Sequence, residues 1–334
     1  MNKREVLRQR QSLDLEAKVN LTKKRIREWH DHWDGDVYVA FSGGKDSTVL
    51  LDLVWSMYPK VPAVFSNTGL ELKQIKEFVK FTTDKGVTSI VDGKRIYRKG
   101  TIERVIPEMD FRTVTKTHGF AAVSKKTALM LRILQRGDDP KWHNTYNLHK
   151  TGYNSKGKYS SIWKLPKKYE HLIDSGVKFS EKCCDELKKK PFKRYEKKTG
   201  LRPIQGIMAD EGGMRGRKET CNVFEGALKI SSPMLFWKES DVWDYIKTRR
   251  LRIAKPYLTQ VNDEGKILEP MDRTGCAFCM FGVHMEKGRH NRFQSLYHRD
   301  KRMWDTAVNK LGCGKVLDLI DVKYIPEDAD EEDK

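Results

Sequence analysis

The segment Ser42-Gly43-Gly44-Lys45-Asp46-Ser47 constrains this 334-residue chain more than any other. It follows Asp36-Val37-Tyr38-Val39-Ala40-Phe41, an apolar run that reads as a buried strand, and it precedes an apolar helical stretch over residues 48–57. Strand, glycine turn and helix in that order put the turn at the carboxyl edge of a parallel sheet, where open α/β folds bind ligands. Two glycines without Cβ let backbone N–H groups approach phosphate oxygens closely. The helix N-terminus adds free amides and the positive end of its dipole, and Lys45 adds a full charge. Asp46 after the lysine sets this loop apart from the Gly-Lys-Ser/Thr loop of nucleoside triphosphatases. Ser42, Gly43, Gly44, Lys45 and Ser47 are expected to hold phosphates, and Asp46 to orient Mg²⁺ or the loop itself.

The rest of the chain supplies a sheet for that turn. Residues 13–33 read as an amphipathic helix, with Leu15, Val19, Ile26, Trp29 and Trp33 at near-helical spacing, and Gly35 ends it. Strands are expected at 62–66 and 87–91, with a helix at 71–81 between them. This β-α-β-α-β order implies a parallel sheet with right-handed crossovers. A helix is expected at 125–136. Residues 137–180 are rich in Gly, Lys and Tyr and read as an insertion or mobile segment. Sheet pattern resumes at 202–208 and 227–235, and residues 239–250 form a helix that buries Val242, Trp243, Tyr245 and Ile246. The expected class is α/β, a parallel sheet flanked by helices. Its parts are a helical extension (1–35), a nucleotide-binding domain (36–260) with an insertion at 110–200, a basic helical region carrying cysteines (261–326), and an acidic tail (327–334) expected to be disordered.

Charge and cysteines narrow the function. The formal charge is +19, and the tail carries net −5, which leaves +24 on residues 1–326. Such an excess points to a polyanionic partner, with nucleic acid (DNA or tRNA) the foremost; a merely solvated lysine surface is the plainer alternative. Basic stretches interleaved with aromatics, residues 188–198 with Phe192 and Tyr195 and residues 287–302 with Phe293 and Tyr297, suit base stacking or, equally, a solvated helix face. Apolar runs such as 49–55 are too short to span a bilayer, and Met1-Asn2-Lys3-Arg4-Glu5 opens no secretory signal, so a cytoplasmic protein without a membrane partner is expected. Six cysteines in that reducing compartment point to metal or chemistry rather than disulfides. Cys183-Cys184 and Cys276-x-x-Cys279 suit a soft metal site, either zinc or a [4Fe–4S] cluster. Adjacent cysteines diverge, which disfavours tetrahedral zinc. Lys182, Lys188, Lys189, Lys190 and Arg273 flank the two pairs and would stabilise thiolates. Cys221 and Cys313 read as small core residues.

The loop 42–47 resembles the pyrophosphatase loop of the adenine nucleotide α-hydrolase superfamily, whose members split ATP between its α and β phosphates. Further motifs resemble the phosphoadenosine phosphosulfate (PAPS) reductase family within it: Ser66-Asn67-Thr68-Gly69-Leu70-Glu71, Gly206-Ile207-Met208-Ala209-Asp210-Glu211-Gly212-Gly213-Met214-Arg215, Pro233-Met234-Leu235-Phe236-Trp237, Asp241-Val242-Trp243-Asp244-Tyr245-Ile246 and Thr274-Gly275-Cys276-Ala277-Phe278-Cys279. They run in the family's order from about residue 36 to 282. The resemblance implies an adenine nucleotide near Asn67, Thr68, Gly69 and Gly206, a sugar contact from Glu71, and an anionic substrate met by Arg215 and Arg217. Lys45, Asp46 and Arg215 become the catalytic candidates. The tandem and spaced cysteines resemble the [4Fe–4S] ligands of the iron–sulfur branch of sulfonucleotide reductases and of the related DNA-phosphorothioation enzymes.

Two chemistries compete. ATP with Mg²⁺ would adenylate a nucleic acid, and sulfur from a donor such as a cysteine desulfurase would displace AMP. Alternatively adenylyl sulfate or PAPS would be reduced to sulfite, with thioredoxin or glutaredoxin as electron donor. The resemblance implies for reduction a mobile cysteine followed by Gly, Leu and His, which Cys313-Gly314-Lys315-Val316 matches only in part. The intact Gly-Gly-Lys loop favours ATP. A non-catalytic, nucleotide-sensing DNA-binding regulator is the third reading.

Overall fold

Val37, Val39 and Phe41 are almost wholly buried, and their strand Val37–Phe41 has neighbours on both edges. On one side Ala63–Ser66 runs parallel, with Val39 opposite Ala63; on the other Arg202–Gln205 runs parallel, with Val37 opposite Arg202. A near-continuous apolar run is what a strand covered by helices on both faces requires. The computed structural model describes residues 2–213, 215–262, 265–286 and 288–329. Its central sheet has six strands, in the order Ile102–Val105, Ala63–Ser66, Val37–Phe41, Arg202–Gln205, Ile230–Ser231, Asn222–Val223. Only the last pairing is antiparallel. The result is a mixed α/β fold on a mostly parallel sheet.

One expected strand lies elsewhere. Val87–Val91 pairs antiparallel with Lys94–Arg98 in a hairpin of its own, and Ile102–Val105 takes the place beside Ala63–Ser66. The cause is the dipeptide Asp92-Gly93, whose φ values of 50° and 74° are those of a tight primed hairpin turn. The strand at 227–235 shortens to Ile230–Ser231, and the helix expected at 71–81 runs Lys73–Lys85.

Helix Lys45–Met57 is buried on all sides, with Val49, Leu50, Leu51, Leu53 and Val54 at most 1% exposed. Its Asp52 accepts hydrogen bonds from Arg98 of the hairpin and from the Tyr245 hydroxyl of helix Glu239–Thr248. That buried carboxylate therefore pins three segments. Helix Leu15–His32 covers the same layer through Val19, Thr22, Ile26 and Trp29, and its buried Lys18 pairs with Asp241 at 2.7 Å. A shorter helix, Lys3–Gln11, precedes it and buries no residue.

Residues 137–180 carry regular structure: helix His143–Thr151 and 3₁₀ turns Ser161–Trp163 and Lys167–Leu172, seated by buried His149, Leu165, Tyr169 and Leu172. Beyond helix Glu239–Thr248, the hairpin Gln260–Val261/Ile267–Leu268 precedes helices Arg292–Arg299, Lys301–Asp305 and Cys313–Leu319. The acidic tail lies outside the described residues from position 330 on. Among the described residues no helix is long and apolar enough to cross a membrane.

Candidate active site

The phosphate loop leaves the carboxyl end of Val37–Phe41 and enters helix Lys45–Met57 with Gly44 as N-cap and no side-chain cap. The first-turn amides are therefore not taken up by a capping side chain. Gly43 has φ +73°, and a Cβ there would stand 2.9 Å from Val79 Cγ2. Ser42 and Ser47 hold the loop from inside. Ser47 Oγ accepts from the Ser42 N–H at 3.2 Å and donates to the Gly44 carbonyl at 2.9 Å; Thr48 Oγ1 donates to the same carbonyl. Gly206, just past strand Arg202–Gln205, packs on the loop's far side, where a Cβ would lie 3.2 Å from the Asp46 carbonyl oxygen.

Lys45 is 4% exposed. Its ammonium meets Glu239 at 3.1 Å and the Asp272 carbonyl at 3.3 Å, and lies 5.5 Å from the Tyr257 ring centre. Burial works against that charge, but Asp46 and Glu239 outweigh it and hold Lys45 above its ordinary value. Asp46 Oδ1 is buried, 3.5 Å from the Lys45 ammonium, and makes no hydrogen bond. Burial pushes this carboxyl above its usual range, with Lys45 pulling it back. A buried carboxylate oxygen whose neighbouring cation, Lys45, stands off at 3.5 Å fits, beside a phosphate loop, a Mg²⁺ ligand completed by substrate phosphates.

The second strand end, residues 66–71, closes on itself. Glu71 accepts from the Thr68 N–H and hydroxyl, Leu70 N–H donates to Thr68 Oγ1, and Gly69 N–H donates to Asn67 Oδ1. Glu71 is thus buried and faces the cysteines electrostatically through Lys188 and Cys276. Arg215 is half exposed and paired with Glu211; partial burial and Arg273 lower its guanidinium, while Asp46 acts the other way. This places Arg215, Arg273 and Asp46 within electrostatic reach of one another. Arg217 is exposed, and no described contact ties it to the loop.

Cys183, Cys184, Cys276 and Cys279 line one cavity together with Leu70, Phe111, Ala121 and Lys188. Cys183 and Cys184 open a helical segment whose next turn, Asp185–Lys189, is π-helical. Residues four apart share a helix face, which brings Leu187 and Lys188 to the cavity with the two thiols. Burial, then the neighbouring thiols, pushes Cys183 well above its ordinary value; burial does the same to Cys276. Lys188 and Cys276 are electrostatically coupled: Lys188 stands above its ordinary value, Cys276 first among the causes, and Lys188 in turn pulls Cys276 down against its burial. Arg292 Nη1 donates to the Cys279 carbonyl at 3.1 Å.

Loop and cavity share one stretch of chain. Asp272 meets Lys45, and Thr274 Oγ1 lies 2.5 Å from the Tyr257 hydroxyl that abuts Gly44. Cys276 and Cys279 follow, and Ala277 N–H donates to the Leu70 carbonyl of the 66–71 turn at 2.8 Å. Glu239, Tyr257 and Asp272 lie outside every motif of the sequence, whereas Thr274 opens the one that carries Cys276 and Cys279.

Among the described residues, only His290, His298 and Asp328 bring three candidate ligand atoms within 4.8 Å of one another. No three thiols therefore reach the roughly 3.8 Å spacing that 2.3 Å bonds impose on tetrahedral zinc. Four thiols lining one cavity with Lys188 beside them are a donor set of the kind that holds a [4Fe–4S] cluster. At the histidine group the Lys266 ammonium already contacts His298 and pairs with Asp328.

The basic-aromatic stretches differ from expectation. Tyr195 is buried edge-on against Tyr38 at 5.2 Å and donates to Glu103, and Phe192 stacks on the same ring. Phe293 and Tyr297 are buried too. These aromatics lie on the core faces of amphipathic helices, Phe192 half-buried among them, and basic side chains such as Lys193, Arg194, Lys197 and Arg302 reach solvent. A second cavity, about 440 Å³ around His30, Tyr58 and Lys60, lies at the opposite edge of the sheet from the loop.

A family model described as the phosphoadenosine phosphosulfate reductase domain matches residues 36–146 and 144–281. Among solved structures, the crystal structure of phosphoadenylyl-sulfate (PAPS) reductase from Candida auris, as a phosphate complex, is similar at 13% identity and a TM-score of 0.37, over 73% of this chain and 91% of that one. No curated protein matches.

Proposed function

The chain belongs to the phosphoadenosine phosphosulfate reductase family, and on that premise we propose that it activates a nucleic acid with ATP and replaces an oxygen of it by sulfur. The observation that carries this reading is the shared stretch 272–279, which touches Lys45 at one end and supplies Cys276 and Cys279 at the other. Nucleotide and thiol chemistry are thereby neighbours.

In the first step a target oxygen attacks the α-phosphorus of ATP, the bond to the α–β bridging oxygen breaks, and pyrophosphate leaves. The Gly43 and Gly44 backbone, Ser42 and Ser47 cradle the phosphates, and Lys45 exchanges Glu239 for phosphate oxygens. Asp46 Oδ1 would hold a Mg²⁺ ion, which would draw charge from the phosphate oxygens. Arg215, Arg217 and Arg273 face the incoming polyanion. In the second step sulfur attacks the activated atom, and AMP departs with the original oxygen. A cysteine desulfurase with a thiol reductant delivers that sulfur at the sulfide level. Cys183, Cys184, Cys276 and Cys279 would hold a [4Fe–4S] cluster. When bound, such a cluster supplies iron and sulfide beside the nucleotide. All six cysteines are free thiols, which suits the cytoplasm.

Sulfonucleotide reduction fits less well. Its attacking thiol must reach the substrate, whereas Cys313 is 0% exposed inside helix Cys313–Leu319, and burial pushes its thiol up to about 12. One paired assay decides. Iron-loaded protein is given ATP with bulk tRNA or DNA, or adenylyl sulfate or PAPS with thioredoxin, and pyrophosphate and sulfite are measured. Pyrophosphate from ATP is expected; sulfite without pyrophosphate would reverse the assignment.

A further inference from the structure

Residues 140–169 hold seven lysines and no Asp or Glu. The same stretch exposes Trp142, Tyr153, Tyr159 and Trp163, four of the five solvent-exposed aromatic side chains among the described residues. Apolar rings in water cost free energy, and folded chains rarely gather them in one place without a partner.

The rings are held in position. His149 is 2% exposed, burial lowers its imidazole, and its Nδ1 lies 2.9 Å from the Trp163 carbonyl. A neutral ring donating there fixes the backbone that presents Trp163. Tyr153 and Tyr159 face each other across an antiparallel bridge, with ring centres 5.2 Å apart, closed by the turn in which Lys158 and Asn154 pair. Gly152, with φ +90°, ends helix His143–Thr151 where a Cβ would strike the Tyr159 ring at 2.5 Å. Trp142 caps the other end of that nine-residue helix, about 13 Å away at 1.5 Å per residue. Lys141, Lys150, Lys156 and Lys158 are exposed between and beside these rings.

We propose that this insertion is a docking surface for a single-stranded stretch of nucleic acid, whose bases stack on Trp163, Tyr153, Tyr159 and Trp142 while the lysines follow its phosphates. The inference rests on the nucleic-acid reading given above and assigns it a place, in the stretch where four of the exposed aromatics coincide with basic charge. Charge argues against an ordinary protein partner, because seven lysines within residues 140–169, against Asp138 and Asp139 at the edge, complement a polyanion. Single strands are favoured over duplex because only unpaired bases offer their faces to a ring. In sequence the stretch lies between Ala121 and Cys183, two residues that line the thiol cavity.

The test uses the full chain and fluorescein-labelled oligonucleotides of twelve residues, oligo-dT and oligo-U, with a duplex of equal length, read by anisotropy. Tyr153→Ala with Trp163→Ala should weaken single-strand binding about tenfold or more without altering its salt slope. Lys156→Gln with Lys158→Gln should flatten the slope by about two contacts. Both pairs are exposed, and circular dichroism and melting should match wild type. Binding unchanged in the aromatic variant, or a duplex bound as tightly as the single strands, would overturn stacking. Polyglutamate of matched charge competing as well as oligo-dT would overturn the nucleic-acid assignment in favour of an acidic protein. Pyrophosphate release from ATP is a separate readout, so failure of this surface and failure of the ATP reading are told apart.

Discussion

The phosphate loop and the thiol cavity adjoin, yet they are built on opposite principles. In the loop nearly every polar group has a partner within a few residues: Ser42, Gly44, Ser47 and Thr48 bond one another. Lys45 is neutralised by two carboxylates before any ligand arrives. The cavity brings together segments far apart in sequence, walls its thiols with Leu70, Phe111 and Phe278, and offers Lys188 as the cation beside them. The loop is thus ready-made for a transient anion. The cavity is costly as it stands, since burial disfavours the thiolates that a metal needs, and binding there must expel protons.

The comparison breaks most sharply at Cys276. Cys276→Ser should reduce iron from about four atoms per chain to fewer than one and abolish broad absorption near ~400 nm. ATP affinity, by equilibrium dialysis, should stay within about twofold; loss of both would mean one site rather than two. Lys45→Met should reverse the pattern, lowering pyrophosphate release about 10²–10³-fold, as removing a key electrostatic group does, with iron content unchanged. Gly43→Ala adds a Cβ at positive φ against Val79 and Ile75. It should cost about 1–3 kcal/mol in urea unfolding, a strained-backbone effect that leaves the cavity intact.

The smallest effect concerns pH. In the iron-free protein the Cys183 and Cys276 thiols titrate above the unfolded value of about 8.5. The folded state therefore binds more protons than the unfolded one as pH rises through that value. Stability is full below it and falls above it, by roughly 1.4 kcal/mol per pH unit for each thiol that stays protonated. Iron-loaded protein should lack this loss, because its ligands are already ionised. Melting curves between about pH 7.5 and 9.5 with and without iron test the difference, and parallel curves would refute it.

The loop was legible because its chemistry is local: strand, glycines, lysine and helix lie within about twenty residues. The hairpin Val87–Arg98 was equally local, and Asp92-Gly93 signalled it, but the apolar pattern of residues 87–91 also suits a parallel strand. Phe192 and Tyr195 stand among lysines in sequence, but their i, i+3 spacing is that of a helix face turned to the core. The partners of Lys45 carried no such signal. Glu239, Tyr257 and Asp272 arrive from separate elements, and tertiary packing alone brings them to the loop. The same holds for the cysteines, whose residue types were informative but whose convergence was not.

The stretch from Asp272 to Cys279 is held at Lys45, at Tyr257 and at Leu70. A nucleotide that draws Lys45 off Asp272 releases one of these anchors, so the two sites share a conformational variable. Thermodynamic linkage then makes their influence mutual: the factor by which metal loading changes nucleotide affinity equals the factor by which nucleotide changes metal retention.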